Sequence, residues 1–134
     1  MSSPQAIVKA LHDSISGPKG AWNPDRLRSL CVPGVYFVYG DKGQDGVLRV
    51  STISLDDTIK GFTRLHMQSD WYESVDRMRV TQAVKKDGYR VVTVSYSGRE
   101  GTQRVTGSRP NPARGATTDL IYIGRRWWIV SHMW

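Results

Sequence analysis

Helical spacing of apolar residues predicts three helices in the first half of the chain. The first lies in AIVKALHDSI, and its apolar stripe includes a histidine: Ile7, Val8, Leu11, His12 and Ile15. A second, short helix is predicted in NPDRLRSL, because Asn23 can cap it and Pro24 suits its first turn. The third is predicted in SLDDTIKGFTRLH, with Ser54 as its cap and Phe62 on its apolar face.

Apolar alternation and turn signals predict strands in the rest of the chain. The first strand is predicted in VYFVYGD, with Phe37 and Tyr39 on one face, and VLRVSTI is its expected hairpin partner. Two later hairpins are predicted, one around KKDGY and one around IGRRW, which joins residues 116–123 to 126–134. The segment REGTQRVTGSRPNPARG is predicted as a long excursion between strands. Helices first and strands later favour an α+β fold, in one domain over residues 1–134.

The final segment, RWWIVSHMW, is largely apolar on both predicted strand faces. Alternation separates Trp127, Ile129, Ser131 and Met133 from Trp128, Val130, His132 and Trp134. A strand of this kind is usually covered on both sides. We expect a second copy of the chain to cover the outer face, with Trp128 and Trp134, in a homodimer. His66 and His132 are expected at the surface or at this interface.

Composition and charge exclude several classes of function. The net charge of +7 can attract anions, but the basic residues are scattered and no nucleic-acid motif accompanies them, so nucleic acid is not an expected partner. No apolar run approaches the roughly 18 residues of a membrane span. The first residues lack the pattern of a secretory signal, and Cys31 is the single cysteine, which together favour a cytoplasmic protein. No metal-ligand spacing, phosphate loop or dinucleotide fingerprint is present, so neither a metal nor a cofactor is predicted.

Asp119 is the most unusual residue in the predicted strands. It precedes Leu120, Ile121 and Tyr122, which can cover both faces of the strand with apolar or aromatic surface. An ionised carboxylate in an apolar interior is unfavourable unless it is paired, hydrogen-bonded or neutralised. Asp119 is therefore either at an exposed strand end or chemically active.

The helix-led first half, the join ISGPKGAWNPDRLRSLCVPGV before the first strand and the closing RRWWIVSHMW carry a family resemblance. The chain resembles the nuclear transport factor 2-like superfamily, and within it the SnoaL-like and ketosteroid-isomerase-like bacterial members. The resemblance implies a cone-shaped α+β barrel, with three N-terminal helices packed on a strongly curved, mixed and mainly antiparallel sheet. It also implies a cavity between the sheet and the helices.

The resemblance implies three catalytic residues. The strand DLIYI is similar to the isomerase strand that carries its catalytic acid, which indicates Asp119. The isomerase's tyrosine in the first helix corresponds to His12, and its aspartate base at the end of the first strand corresponds to Tyr39. Tyrosine is a poor base at neutral pH, so ketosteroid isomerisation by the family's own scheme is not expected.

The leading prediction is a pocket for a small hydrophobic molecule, with isomerase, cyclase or dehydratase chemistry by proton transfer. His12 would shuttle the proton, and Asp119 would orient it or donate with Tyr39 to a developing enolate oxygen. The alternative is a noncatalytic ligand-binding or dimerisation module of the same fold. The residues expected to line the pocket are Val8, Ile15, Phe37, Phe62, Ile121, Trp127 and Ile129.

Overall fold

A computed structural model of the chain describes residues 3–85, 87–102 and 113–134. Within these residues there are three helices, and each predicted helix is present: α1 (Pro4–Ile15), α2 (Pro24–Arg28) and α3 (Leu55–Gln68). Side-chain caps begin each of them, since Ser3, Asn23 and Ser54 accept hydrogen bonds from backbone N–H groups of the first turn. No helix in the described part of the chain is long and apolar enough to cross a membrane.

The described strands form one mixed sheet of six strands. In chain order they are β1 (Cys31–Lys42), β2 (Leu48–Ser54), β3 (Tyr72–Val84), β4 (Arg90–Gly101), β5 (Ala113–Ile123) and β6 (Arg126–Met133). Their spatial order is β2-β1-β6-β5-β4-β3, with β1 and β6 parallel and every other pair antiparallel. Most of the predicted excursion after β4, residues 103–112, lies outside the described residues.

The predicted α+β class is confirmed, whereas the closed, strongly curved cone is wrong. Strands β2 and β3 are the two edges of the sheet and do not pair with each other, so the sheet stays open. The third helix follows β2, in the order that the sequence pattern predicted. Alternating burial identifies the packed face of each strand, but it carries no information on how closely the two edges approach.

The core lies between one face of the sheet and the helices. Its centre is apolar, with Ile7 and Leu11 of α1 packed among Phe37, Leu120 and Ile129 of the sheet. The end of α1 is fixed to the start of β3, because Gly17 and Trp71 exchange two backbone hydrogen bonds. This attachment holds the last turn of α1 beside the first residues of β3.

A β-bulge in β6 changes the direction of the last side chains. Asp119 pairs with Ser131 but Leu120 pairs with Ile129, so the intervening residue of β6 has no partner. Beyond the bulge His132 and Trp134 point into the core, where both rings contact Phe37. The predicted alternation of β6 is therefore wrong after Ile129, and Trp134 does not belong to an outer face.

Candidate functional site

His12 is the centre of a buried hydrogen-bonded network. Its Nδ1 lies 2.6 Å from Oε1 of Glu73, and its Nε2 lies 2.6 Å from the hydroxyl of Tyr96. All three side chains are buried. The sequence placed His12 in the apolar stripe of α1, and in the structure it is the polar member of that stripe, bonded to strands β3 and β4.

The network continues through two further residues of the sheet. The Tyr96 hydroxyl lies 3.1 Å from Oγ1 of Thr118 and 3.2 Å from Nδ1 of His132. Thr118 Oγ1 and His132 Nδ1 are 2.7 Å apart. Burial raises the pKa of Tyr96 above its ordinary range, while burial and the nearby His12 lower the pKa of His132 well below 6.5. Tyr96 is therefore a phenol and His132 a neutral imidazole at physiological pH.

Hydrogen-bond chemistry assigns a direction to this chain of groups. A carboxylate can only accept, so Nδ1–H of His12 donates to Glu73. In the imidazolium form of His12, Nε2–H donates to the Tyr96 hydroxyl; in the neutral form, Nε2 accepts from that hydroxyl, which in turn can accept from Thr118. Nδ1–H of His132 then donates to Thr118, and Nε2 of His132 has no partner within the described residues. The proton positions follow from the bonding pattern.

Glu73 connects this network to the open part of the molecule. Oε2 accepts a hydrogen bond of 2.9 Å from Nε1–H of Trp71, and Oε1 accepts a longer one of 3.5 Å from Nε1–H of Trp134. The backbone N–H of Glu73 donates to Ser16 Oγ at 2.8 Å. With His12, three N–H donors therefore hold the carboxylate in one orientation.

A cavity of about 790 Å³ lies in front of Glu73. Its walls come from α3, from the β1–β2 hairpin, from the start of β3, from the end of β4 and from the start of β5. Apolar and aromatic side chains line much of it, including Ile53, Phe62, Leu65, Trp71 and Trp134. A recess of about 40 Å³ shares Glu73, Glu100 and Arg114 with the cavity and reaches His12. The volume of the cavity falls within the range of small-molecule sites.

Glu100 forms a second carboxyl group on the same wall. It is the direct cross-strand partner of Glu73 in the β3–β4 ladder, and both residues line the cavity and the recess. Partial burial raises the pKa of Glu100, as does the charge of Glu73, whereas Arg114 and His12 oppose the shift. The two carboxyl groups therefore have different environments, since N–H donors surround Glu73 and burial favours the protonated form of Glu100.

The three residues predicted to be catalytic do not meet. His12 is in the network and lines the recess, and Tyr39 lines the cavity. Asp119 is exposed on the opposite face of the sheet, where Oδ1 accepts from Thr93 at 2.6 Å and Oδ2 accepts from Ser131 at 3.1 Å. The predicted pairing of Asp119 with His12 is wrong, because strand alternation sends Thr118 and Leu120 inward and Asp119 outward.

Of the seven residues predicted to line the pocket, Phe62 lines the cavity. Ile121 is partly buried on the face that carries Asp119. The other five pack in the core without lining the described cavity: Val8, Ile15, Phe37, Trp127 and Ile129. An apolar pattern identifies inward positions, but it does not show which of them line the cavity beside α3.

The structure corrects two further predictions about histidines. His66 is fully buried, stacks on Trp22 and lies with Nε2 2.8 Å from the carbonyl oxygen of Ile15. His132 is equally buried, because the bulge turns it inward. Neither residue is at the surface.

Sequence reasoning missed Glu73 and Glu100. A signal for Glu73 was present, because alternation in WYESV places it on the same strand face as Trp71 and Val75. Cys31 is buried, and burial raises the pKa of its thiol to about 12, so the unreactive thiol form predominates at physiological pH. Among the described residues, no group of three or more potential ligands is placed to hold a metal ion.

Similar folds occur in solved structures of very different sequence. No protein-family model and no curated protein matches this sequence. A proposed dehydratase of the nuclear transport factor 2-like family from Streptomyces avermitilis aligns with a TM-score of 0.56 and 16% identity, over 96% of this chain and 89% of that chain. A nuclear transport factor 2-like protein of unknown function from Shewanella oneidensis aligns at 0.53 and 12%, over 96% and 93%.

The same fold also occurs in a protein assembly. A chain of the yeast complex of the deubiquitinase Ubp3 with its cofactor Bre5 aligns with a TM-score of 0.58 and 11% identity, over 96% of this chain and 90% of that chain. Identities this low establish architecture and leave activity open. The order of helices and strands and these alignments agree, and the chain has the nuclear transport factor 2-like fold.

Proposed function

We propose that the cavity binds a small, largely apolar molecule and that the protein transfers protons on it without a cofactor. The observation that carries the proposal is the cross-strand pair of Glu73 and Glu100, which places two carboxyl groups with different environments on one cavity wall. Such a pair supplies one base and one acid at the same pH. Isomerisation, cyclisation and dehydration are the reaction classes that need both.

Glu73 is the base in this proposal. Its carboxylate faces the cavity, and its three N–H donors fix its orientation towards a bound molecule. His12 and Tyr96 act behind it as positioning residues, because His12 hydrogen-bonds Glu73 and Tyr96 in turn hydrogen-bonds His12. The bond from His12 holds the Glu73 carboxylate in place before the proton is taken up.

Glu100 is the acid. In a dehydration, Glu73 takes a proton from carbon, the electron pair forms the carbon–carbon double bond, and the carbon–oxygen bond breaks. The departing hydroxyl takes the proton of Glu100 and leaves as water. In an isomerisation, Glu73 returns its proton at a different carbon, and Glu100 donates a hydrogen bond to the enol oxygen.

A noncatalytic binding module is the second candidate. The similarity to a chain of the deubiquitinase–cofactor complex favours it, whereas the similarity to the proposed dehydratase favours the enzyme. The buried carboxylate on the cavity wall distinguishes the two, because an apolar ligand alone gives no reason to place it there.

Deuterium exchange tests the proposal before the natural substrate is known. Wild-type protein in D2O, incubated with a panel of cyclic ketones, enones and hydroxy ketones, is expected to incorporate deuterium next to the carbonyl group, detected by mass spectrometry. Glu73→Gln should slow this exchange by on the order of 10²-fold or more, the usual scale for loss of a general base. Asp13→Asn, at an exposed ion pair with Lys9, is the matched control and should leave exchange unchanged.

Two results would contradict the proposal. One is exchange that Glu73→Gln does not slow, and the other is a panel in which wild-type protein exchanges no faster than buffer. A near-ultraviolet circular dichroism spectrum of Glu73→Gln shows whether the variant is folded, and Glu73→Asp, which keeps a carboxylate, should retain part of the rate.

A further inference from the structure

The part of the cavity wall that α3 contributes carries two cations. Lys60 and Arg64 lie one turn apart on α3, and both line the cavity. Both are exposed, and within the described residues neither makes an ion pair. Asp57 lines the cavity from the same helix, one turn before Lys60, so one carboxylate accompanies the two cations.

Arg114 has a different place in the cavity. It lies on β5 opposite Gly98, beside Glu100 on the same strand face, and its charge lowers the pKa of Glu100. Arg114 therefore makes the rise in the pKa of Glu100 smaller. Asp57 is the acidic neighbour of the two α3 cations in the cavity, but neither cation pairs with it among the described residues, so both can contact a bound anion.

Apolar and aromatic residues line the cavity beside both groups of charges. Phe62 and Leu65 come from α3 itself, and Trp71 and Trp134 flank Glu73 on the sheet side. A molecule that fills this space can contact the cations of α3, the apolar surface and the two carboxyl groups of the sheet. The complementary ligand has a negative head group on an apolar body.

We propose that the substrate is a small organic carboxylate whose head group binds Lys60 and Arg64 while its apolar body extends to Glu73 and Glu100. The position of the reacting carbon rests on the proposed proton transfer, whereas the recognition of the head group does not. Arginine binds a carboxylate through paired N–H donors and lysine as a point charge, so the two together suit a carboxylate head. The overall charge of +7 attracts such anions to the protein.

Matched neutral and anionic probes test this assignment. Binding of benzoate, cinnamate and 2-naphthoate is compared with that of benzamide, cinnamamide and 2-naphthamide, using isothermal titration and chemical-shift mapping of the backbone amides. At least one carboxylate should bind about tenfold more tightly than its amide, the scale of charge-assisted contacts in a partly screened site. Added salt should weaken binding of the carboxylate and leave binding of the amide unchanged.

Substitutions then locate the binding groups. Lys60→Gln with Arg64→Gln should remove the preference for the carboxylate and leave binding of the amide unchanged. The matched control is Arg28→Gln with Arg49→Gln, two exposed arginines that pair with Asp56 and Asp45 and do not line the cavity. This control should keep the preference, although it removes the same net charge.

Three outcomes would overturn the assignment. They are equal binding of carboxylate and amide, a preference that survives loss of Lys60 and Arg64, and no binding of any carboxylate at millimolar concentration. Glu73→Gln separates this proposal from the proposed function. It should abolish deuterium exchange yet bind the carboxylate at least as tightly as wild type, because it removes a negative charge from the cavity.

Discussion

Asp119 and Glu73 are both strand carboxylates, but their environments differ because they face opposite sides of the sheet. Glu73 faces the cavity and accepts from three N–H donors, while Asp119 faces outward and accepts from two hydroxyl groups. The sequence around Asp119 is apolar on both faces, so alternation alone did not show which face was inward. The structure removes Asp119 from the proposed chemistry.

Asp119→Asn is therefore expected to leave proton exchange unchanged. The amide can still accept from one of the two hydroxyls of Thr93 and Ser131 and donate to the other, so the free energy of unfolding should change by no more than about 1 kcal/mol. Deuterium exchange and urea unfolding measure the two effects. A tenfold loss of exchange in a folded variant would return Asp119 to the site.

At the scale of single residues, the sequence predicted part of the candidate functional site. His12 was recognised because it falls on an apolar helical stripe, and Tyr39 lines the cavity as its strand face suggested. Glu100 could not have been identified, because its role depends on lying opposite Glu73 across a long hairpin. Register between strands decides such pairs, and composition does not encode it.

At the scale of secondary-structure elements, the β3–β4 ladder places two acidic residues, Glu73 and Glu100, directly opposite each other. Like charges at directly opposed strand positions are destabilising when both are ionised. The raised pKa of Glu100 means that the folded protein binds this proton more tightly than the unfolded chain. Its contribution to stability is complete below the ordinary glutamate pKa of about 4.3 and is lost as the pH rises through the raised value.

Glu100→Gln should consequently stabilise the protein at neutral pH. The gain in the free energy of unfolding is expected to be below about 1 kcal/mol, since solvent screens this partly exposed group. The gain should disappear at pH 4, where wild-type Glu100 is protonated. Urea unfolding at both pH values measures it. A variant less stable than wild type at pH 7 would show that the two carboxyl groups do not repel each other.

Strand β6 explains why elements were easier to predict than the directions of their side chains. Its apolar run and the turn before it identified the strand, and Gly124 and Arg125 form that turn with positive φ angles of 58° and 69°. One unpaired residue in β6 then turns the side chains of the residues after it to the opposite face of the sheet. This bulge brings His132 into the network and Trp134 to Glu73.

At the scale of the whole molecule, the buried network couples stability to pH. It joins α1 to four strands through Glu73, Tyr96, Thr118 and His132. His132 stays neutral in the folded state, because burial and His12 lower its pKa. The unfolded chain takes up this proton at the ordinary histidine pKa of about 6.5, so folding is disfavoured below that pH.

The free energy of unfolding should therefore fall with decreasing pH below about 6.5, and one such proton contributes up to about 1.4 kcal/mol per pH unit. His132→Asn keeps a polar partner for Thr118 but cannot be protonated. Although the variant should be less stable at pH 7, its stability should decline less steeply between pH 6.5 and 5. Equal slopes in urea unfolding of the two proteins would exclude His132 as the cause.

The overall architecture followed from patterns that operate within single elements. Helical stripes, caps and hairpin turns are local, and they gave the three helices and the strand-rich second half. The open sheet and the position of the cavity depend on how α3 and the two sheet edges are spaced. These distances come from long-range packing, which a single sequence does not display.

Strand order also has a consequence for how the chain folds. The β1–β2 hairpin and the β3–β4–β5 meander can each form from neighbouring segments, but β6 lies between them and is the element that joins them. During synthesis β6 is the last of the described elements to leave the ribosome. Until then the β1–β2 hairpin has no place in the continuous sheet, and Tyr96 and Thr118 lack their histidine partner from β6. Completion of the site thus waits for the closing strand, which supplies both the structural link and a polar partner.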